Sequence, residues 1–122
     1  MSGLMFPKQQ TKKKRKRHLK SIMQDKDGTC FLCKWFDDNY YKPAVVQEHH
    51  IFGGPNRKYS EATGLKVYLC LSHHLYGKEA AHSNKEIMRL LHQEGQRAFE
   101  RNNTREEFVR IFGKNYLEAE DE

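Results

Sequence analysis

The chain lacks any apolar run approaching the roughly 20 residues that span a bilayer. Its mean hydropathy of −0.95 leaves material for only a modest core. At 122 residues it reads as one domain, and so polar a chain commonly needs a metal or partner as a staple. Cysteine is scarce: three residues cannot all pair as disulfides, and the Cys30-x-x-Cys33 spacing suits thiolate ligation. That usage points to a reducing, intracellular compartment. The charged N-terminal stretch has no apolar segment behind it, so it does not read as a secretory signal. Acid is missing from the first twenty residues, which hold eight Lys/Arg, whereas the rest of the chain holds fourteen Lys/Arg against sixteen Asp/Glu. The net charge of +6 therefore belongs to one arm. Such an arm fits a salt-sensitive contact to a phosphate backbone through Lys12, Lys13, Lys14, Arg15, Lys16 and Arg17, or equally a solvated tail.

Three segments follow from this pattern: a basic arm over 1–24, a folded domain over 25–113 and an acidic tail over 114–122. The first ten residues read as disordered, and 12–23 as a frayed basic helix with Leu19, Ile22 and Met23 on a short apolar edge. Asp27-Gly28 marks a turn ahead of Cys30. A strand is predicted over 44–51 and a shorter one over 65–69, with a polar loop over 56–64 between them. A helix starts at Leu71 and breaks at Gly77. A longer one starts near Asn84, with Ser83 as its N-cap and Glu86 at capping-box spacing; Ile87, Leu90, Leu91 and Ala98 form its apolar face. Thr104 and Glu107 repeat the capping spacing before a last helix that Gly113 ends. The fold class is α+β.

Chemistry concentrates between residues 30 and 82. Five of the seven histidines lie between 49 and 82, in the pairs His49-His50 and His73-His74 plus His82. Tetrahedral zinc takes two knuckles of two ligands each. Cys30 and Cys33 form one, and Cys70 with His73 the natural second, although His74 competes with His73. A redox reading of Cys30/Cys33 requires a thioredoxin-like βαβ pattern, which is missing. Closing the zinc site folds the 36-residue insertion between Cys33 and Cys70 back as a β-hairpin, bringing His49 or His50 toward His74. Glu48 is a candidate for orienting an imidazole. Arg57, Lys58, Lys66 and Lys78 flank the cluster as candidate phosphate contacts, while His18 and His92 have no supporting pattern.

Cys30-x-x-Cys33, then His49-His50-Ile51, then Leu69-Cys70-x-x-His73-His74 together resemble the HNH (His-Me finger) endonucleases of the zinc-stapled kind common in phages and prophages. The resemblance covers about residues 30–99. It implies a zinc-stapled ββα unit with added C-terminal helices, and metal-dependent hydrolysis of DNA phosphodiester bonds. It implies His50 as general base and a catalytic divalent ion, such as Mg2+, Mn2+ or Ni2+, held by His49 and His74. The chain departs from the pattern in three places: His73 stands for a cysteine, Gly64 for the middle asparagine, and Lys78 for the last ligand. Asn56 is the candidate substitute for the asparagine, and His82 for the ligand. The rival reading is an inactive zinc scaffold that grips nucleic acid or a protein.

Overall fold

A computed structural model of the chain describes residues 18–117; the basic residues Lys12–Arg17, the rest of the predicted arm and the acidic residues 118–122 lie outside the described residues. The architecture is α+β. Helix α1 (Phe31–Asp37) is followed by strand β1 (Val46–His50), a 3-10 turn (Gly54–Asn56), helix α2 (Arg57–Thr63) and strand β2 (Lys66–Cys70). A wide π-type turn (Ser72–Tyr76), helix α3 (Lys85–Glu100) and helix α4 (Arg105–Phe112) complete it. Among the described residues, no helix is long and apolar enough to cross a membrane.

The two strands form an antiparallel sheet in the register Val46–Cys70, Gln47–Leu69, Glu48–Tyr68, His49–Val67 and His50–Lys66. Because strand side chains alternate, Gln47 and His49 share one face and Glu48 and His50 the other. The free edge of β2 is covered by the segment just ahead of Cys30. Ile22 N–H donates to the Gly64 carbonyl, Tyr68 N–H to Gln24 Oε1, and the Ser21 hydroxyl to the Lys66 carbonyl. Residues 18–24 thus belong to the body of the fold and are not helical, which corrects both the helix predicted over 12–23, as far as it is described, and the boundary at 24. An extended chain satisfies the sheet edge; a helix there would leave it bare.

The core gathers Leu32, Ile51, Phe52, Leu65, Val67, Leu69, Leu91, Phe99, Phe108 and Phe112. Phe52 lies at the middle of an aromatic cluster, 4.6 Å from Phe112, 5.2 Å from Tyr116 and 4.9 Å from His92 between ring centroids. His92 is therefore a packing residue. Tyr116 N–H donates to Gln96 Oε1 and Leu117 is 5% exposed, so the predicted tail from 114 begins as part of the body. Helix α3 reaches the strand end closely because Gly95 faces it; a Cβ there would come within 2.8 Å of Ile51 Cγ2.

Helix ends follow their local chemistry. Thr104 and Glu107 form the predicted capping box of α4, and Gly113 ends it in the left-handed conformation. At α3 the cap is Asn84, whose side chain accepts from Glu86 and Ile87 N–H, in place of the predicted Ser83. The predicted 56–64 loop contains α2 instead. Its first three residues, Arg57, Lys58 and Tyr59, are exposed, and buried Ser60 fixes it by exchanging hydrogen bonds with the Phe52 backbone. Gly64 ends α2 at φ +78°, and an added Cβ would overlap the Lys20 carbonyl oxygen.

These contacts yield a paired test. Gly113 also has positive φ (+86°) but faces open space. Gly113→Ala should cost about 1 kcal/mol, the left-handed penalty alone. Gly64→Ala should cost roughly 3 kcal/mol, since overlap with backbone is added. Thermal or denaturant unfolding of the two variants measures the difference; equal losses would refute close packing of residues 20–22 on Gly64.

Candidate metal centres

Cys30 is the N-cap of α1, its Sγ accepting from Cys33 N–H at 3.4 Å, so one helical turn turns both sulfurs toward the same point. Cys70 ends β2, and His73 follows on the π-type turn. The three sulfurs stand 3.5, 3.5 and 3.4 Å from His73 Nδ1, and Cys33 Sγ is 3.9 Å from Cys70 Sγ. Ligands around one tetrahedral zinc, at Zn–S ~2.3 Å and Zn–N ~2.0–2.1 Å, lie about 3.5 Å (S to N) and about 3.8 Å (S to S) apart. The set Cys30, Cys33, Cys70 and His73 could hold a metal such as zinc. Burial, then the neighbouring sulfurs of Cys30 and Cys70, push the Cys33 thiol up to about 12. A bound cation reverses that balance, because thiolates are its ligands. Glu79 Oε1, 4.0 Å from His73 Nε2, offers the far side of the ring a carboxylate.

His73 and His74 leave the same turn toward different places. His74, His49 and His82 converge, with ligand nitrogens within 4.8 Å of one another and His74 Nε2 only 3.0 Å from His82 Nε2. Two nitrogens sharing one ion at ~2.1 Å lie about 2.9–3.4 Å apart. Gln47 Oε1 accepts from His74 Nδ1 at 2.7 Å, which leaves the lone pair on Nε2, the nitrogen that faces His82. Burial first, then His82 and His74, drive His49 down to about 3, and burial with His82 lowers His74. Neutral imidazoles with convergent lone pairs are the form that binds a metal.

The return of His82 to His74 has a local cause. Gly77 closes the wide turn by donating to the Ser72 carbonyl, and any Cβ there would overlap Ser72 Oγ. The chain then folds back: Ala81 N–H donates to the His73 carbonyl at 2.6 Å and His82 N–H to that of His74 at 3.4 Å, while Ala80 and Ala81 are fully buried.

His50 lies outside the three-histidine group, on the opposite face of β1. Its Nε2 meets Glu61 Oε1 at 2.7 Å. Glu61 also takes His18 Nδ1 at 2.9 Å and Lys66 Nζ at 3.2 Å, and Glu48 takes Lys66 at 3.2 Å. Hydrogen bonds from His50 and then His18 hold the Glu61 carboxyl down at about 2. Glu48, His50 and Glu61 have ligand spacing too, but the Lys66 ammonium is ion-paired to both acids. Lys66 is buried and doubly ion-paired, which corrects its place among the phosphate contacts. Glu48 likewise serves Lys66 and does not orient an imidazole.

Arg57 and Lys58 are exposed on the first turn of α2 and line a groove shared with His18 and Glu61; Lys78 is exposed in the loop between His74 and His82. Asn56 directs its amide to the Phe112 carbonyl and does not reach His50. Glu61 and Gln47 are site residues that the sequence does not single out. Glu61 is hidden because α2 reads as loop; Gln47 is findable, since strand alternation puts it on the face of His49.

Metal content separates the two centres. Purified protein should keep about one zinc per chain through dialysis, because binding at a structural site is coupled to folding. Cys30→Ser should lose it and unfold, whereas His49→Ala should retain both zinc and fold. Elemental analysis with circular dichroism reads this out, and a folded, zinc-free Cys30→Ser protein would sink the structural role. No family model, curated protein or solved structure matches this chain.

Proposed function

We propose that the protein is a metal-dependent HNH-type endonuclease that hydrolyses phosphodiester bonds in DNA. The observation that carries this reading is the splitting of His49 and His50: His49 joins His74 and His82, while His50 is paired to a carboxylate on the other face of the same strand end. One imidazole set is suited to an ion, and a separate imidazole is suited to a proton. In this reading the Cys30, Cys33, Cys70 and His73 centre binds zinc and holds the ββα unit formed by β1, β2 and the turn after Cys70.

His49, His74 and His82 would hold a divalent ion, which would supply Lewis-acid polarisation of the scissile phosphate and of the leaving oxygen. Three imidazoles without a carboxylate favour borderline ions such as Ni2+ over Mg2+. His50 takes a proton from water as the water oxygen attacks phosphorus and the bond from phosphorus to the sugar oxygen breaks. Arg57, Lys58 and Lys78, with the arm residues Lys12–Arg17, supply cationic contacts to the backbone without reading sequence.

A plasmid-nicking assay with Mg2+, Mn2+, Ni2+ and EDTA lanes tests this. His50→Ala should lose about 10²–10⁴ in rate while keeping fold, zinc and DNA binding. His74→Ala should also lose cleavage, with partial rescue by excess Mn2+ or Ni2+. Wild-type cleavage rates from His50→Ala would remove the base assignment. A wild type inert in every metal would favour the inactive binding scaffold.

The arm is tested separately. Deleting residues 8–17 should weaken DNA binding equally for unrelated sequences and flatten its dependence on salt, by about 0.9 in slope for each phosphate no longer neutralised. A fluorescence-anisotropy titration at several salt concentrations measures it, and an unchanged slope would place binding in the folded body alone.

A further inference from the structure

We propose that Glu61 is the positioning residue for His50, its carboxylate holding the imidazole through Nε2 so that Nδ1 carries the lone pair that takes the proton. The inference rests on the nuclease reading of the same site and assigns a residue which the His-Me resemblance does not supply.

Neither asparagine candidate can hold the His50 ring. The position where an asparagine is expected holds Gly64, which has no side chain and is committed to a left-handed turn against Lys20. Asn56 is turned to the Phe112 carbonyl. Among the described residues, the hydrogen-bond partner of the His50 ring is Glu61 Oε1, at 2.7 Å from Nε2. A neutral imidazole donates from one nitrogen and accepts at the other, so a carboxylate at Nε2 fixes the proton there and leaves Nδ1 free to act as base.

The carboxylate is itself well held. It sits in the last turn of α2, which Ser60 locks to the Phe52 backbone, two residues beyond His50. Lys66, the register partner of His50 across the hairpin, fixes the same carboxylate with both oxygens at 3.2 Å. The His50 side chain is 8% exposed and that of Glu61 21%, so the pair is partly shielded from competing water.

In the step, His50 Nδ1 accepts the proton of the attacking water, and the imidazolium that forms carries its charge against the Glu61 carboxylate. No proton need pass to Glu61; its part is to choose the tautomer, fix the ring and stabilise the cation. The leaving sugar oxygen takes its proton from solvent, so the atoms balance.

The test compares wild type, Glu61→Gln, Glu61→Ala and His18→Ala in steady-state plasmid nicking, alongside thermal unfolding and 15N NMR of the histidine rings. Glu61→Ala should lower kcat about 10–100-fold with KM unchanged. Glu61→Gln keeps an oxygen acceptor at the same reach and should recover part of that loss. His18→Ala removes another partner of Glu61 and should cleave within about twofold of wild type, matching a role outside the chemistry. The wild-type His50 spectrum should show the Nε2-protonated tautomer, and Glu61→Ala a mixture of both tautomers. An active wild type whose Glu61→Ala variant keeps its kcat, or whose His50 tautomer is unmoved in that variant, overturns the proposal alone. Equal losses in Gln and Ala that track unfolding reduce Glu61 to a structural residue and also overturn it. A wild type that cleaves nothing overturns the nuclease reading, and this proposal falls with it.

Discussion

One convergence ties a helix to the end of a strand: Cys30, Cys33, Cys70 and His73 meet with His73 Nδ1 at 3.4–3.5 Å from each sulfur. Those residues come from a helix N-terminus, its first turn, the end of a strand and the turn after it. Without a cation, burial first and then the crowded sulfurs oppose ionisation, as the raised Cys33 thiol shows. With one, the same crowding becomes a tetrahedral ligand set whose binding energy is folding energy. A small core needs such a tie, since α1 contributes only Leu32 among its fully buried apolar side chains.

Each histidine pair is then divided by the local backbone. Strand alternation sends His49 to one face and His50 to the other. The π-type turn sends His73 to the sulfurs and His74 to His49. Doublets thus serve two sites apiece, and the charge of each site follows. The Cys3His and three-histidine groups contain no internal cation, whereas the Glu48, His50 and Glu61 group contains Lys66. Similar ligand spacing therefore has different meaning on the two faces of one strand.

What is legible in the sequence tracks how local the signal is. The Cys-x-x-Cys knuckle, the two strands and the Thr104–Glu107 cap rest on neighbours within a few residues and are found in the structure with small shifts of boundary. Helix α2 is not legible, because seven mostly polar residues show no apolar stripe; Ser60 anchors it by hydrogen bonds to Phe52, which no periodicity reveals. Glu61 is lost with it, since that residue can be placed beside His50 only on that helix. Lys66 misleads for a related reason. A lysine in a basic chain reads as surface charge, and its two carboxylates come from another strand and from α2.

The place of His82 follows from the turn that precedes it. A ligand one α-helical turn after His74 would fall at Lys78, yet the chain after His74 is not α-helical there. A turn one residue wider than an α-turn ends at Gly77, which a side chain would disrupt by meeting Ser72. The next residues then run back along the turn, with Ala81 bonded to His73 and His82 to His74 through their backbones. Two fully buried alanines, Ala80 and Ala81, sit on that return. The eight-residue spacing and the glycine are thus one feature. The wide turn frees the histidine position from helical periodicity, and the return places His82 Nε2 3.0 Å from His74 Nε2 all the same.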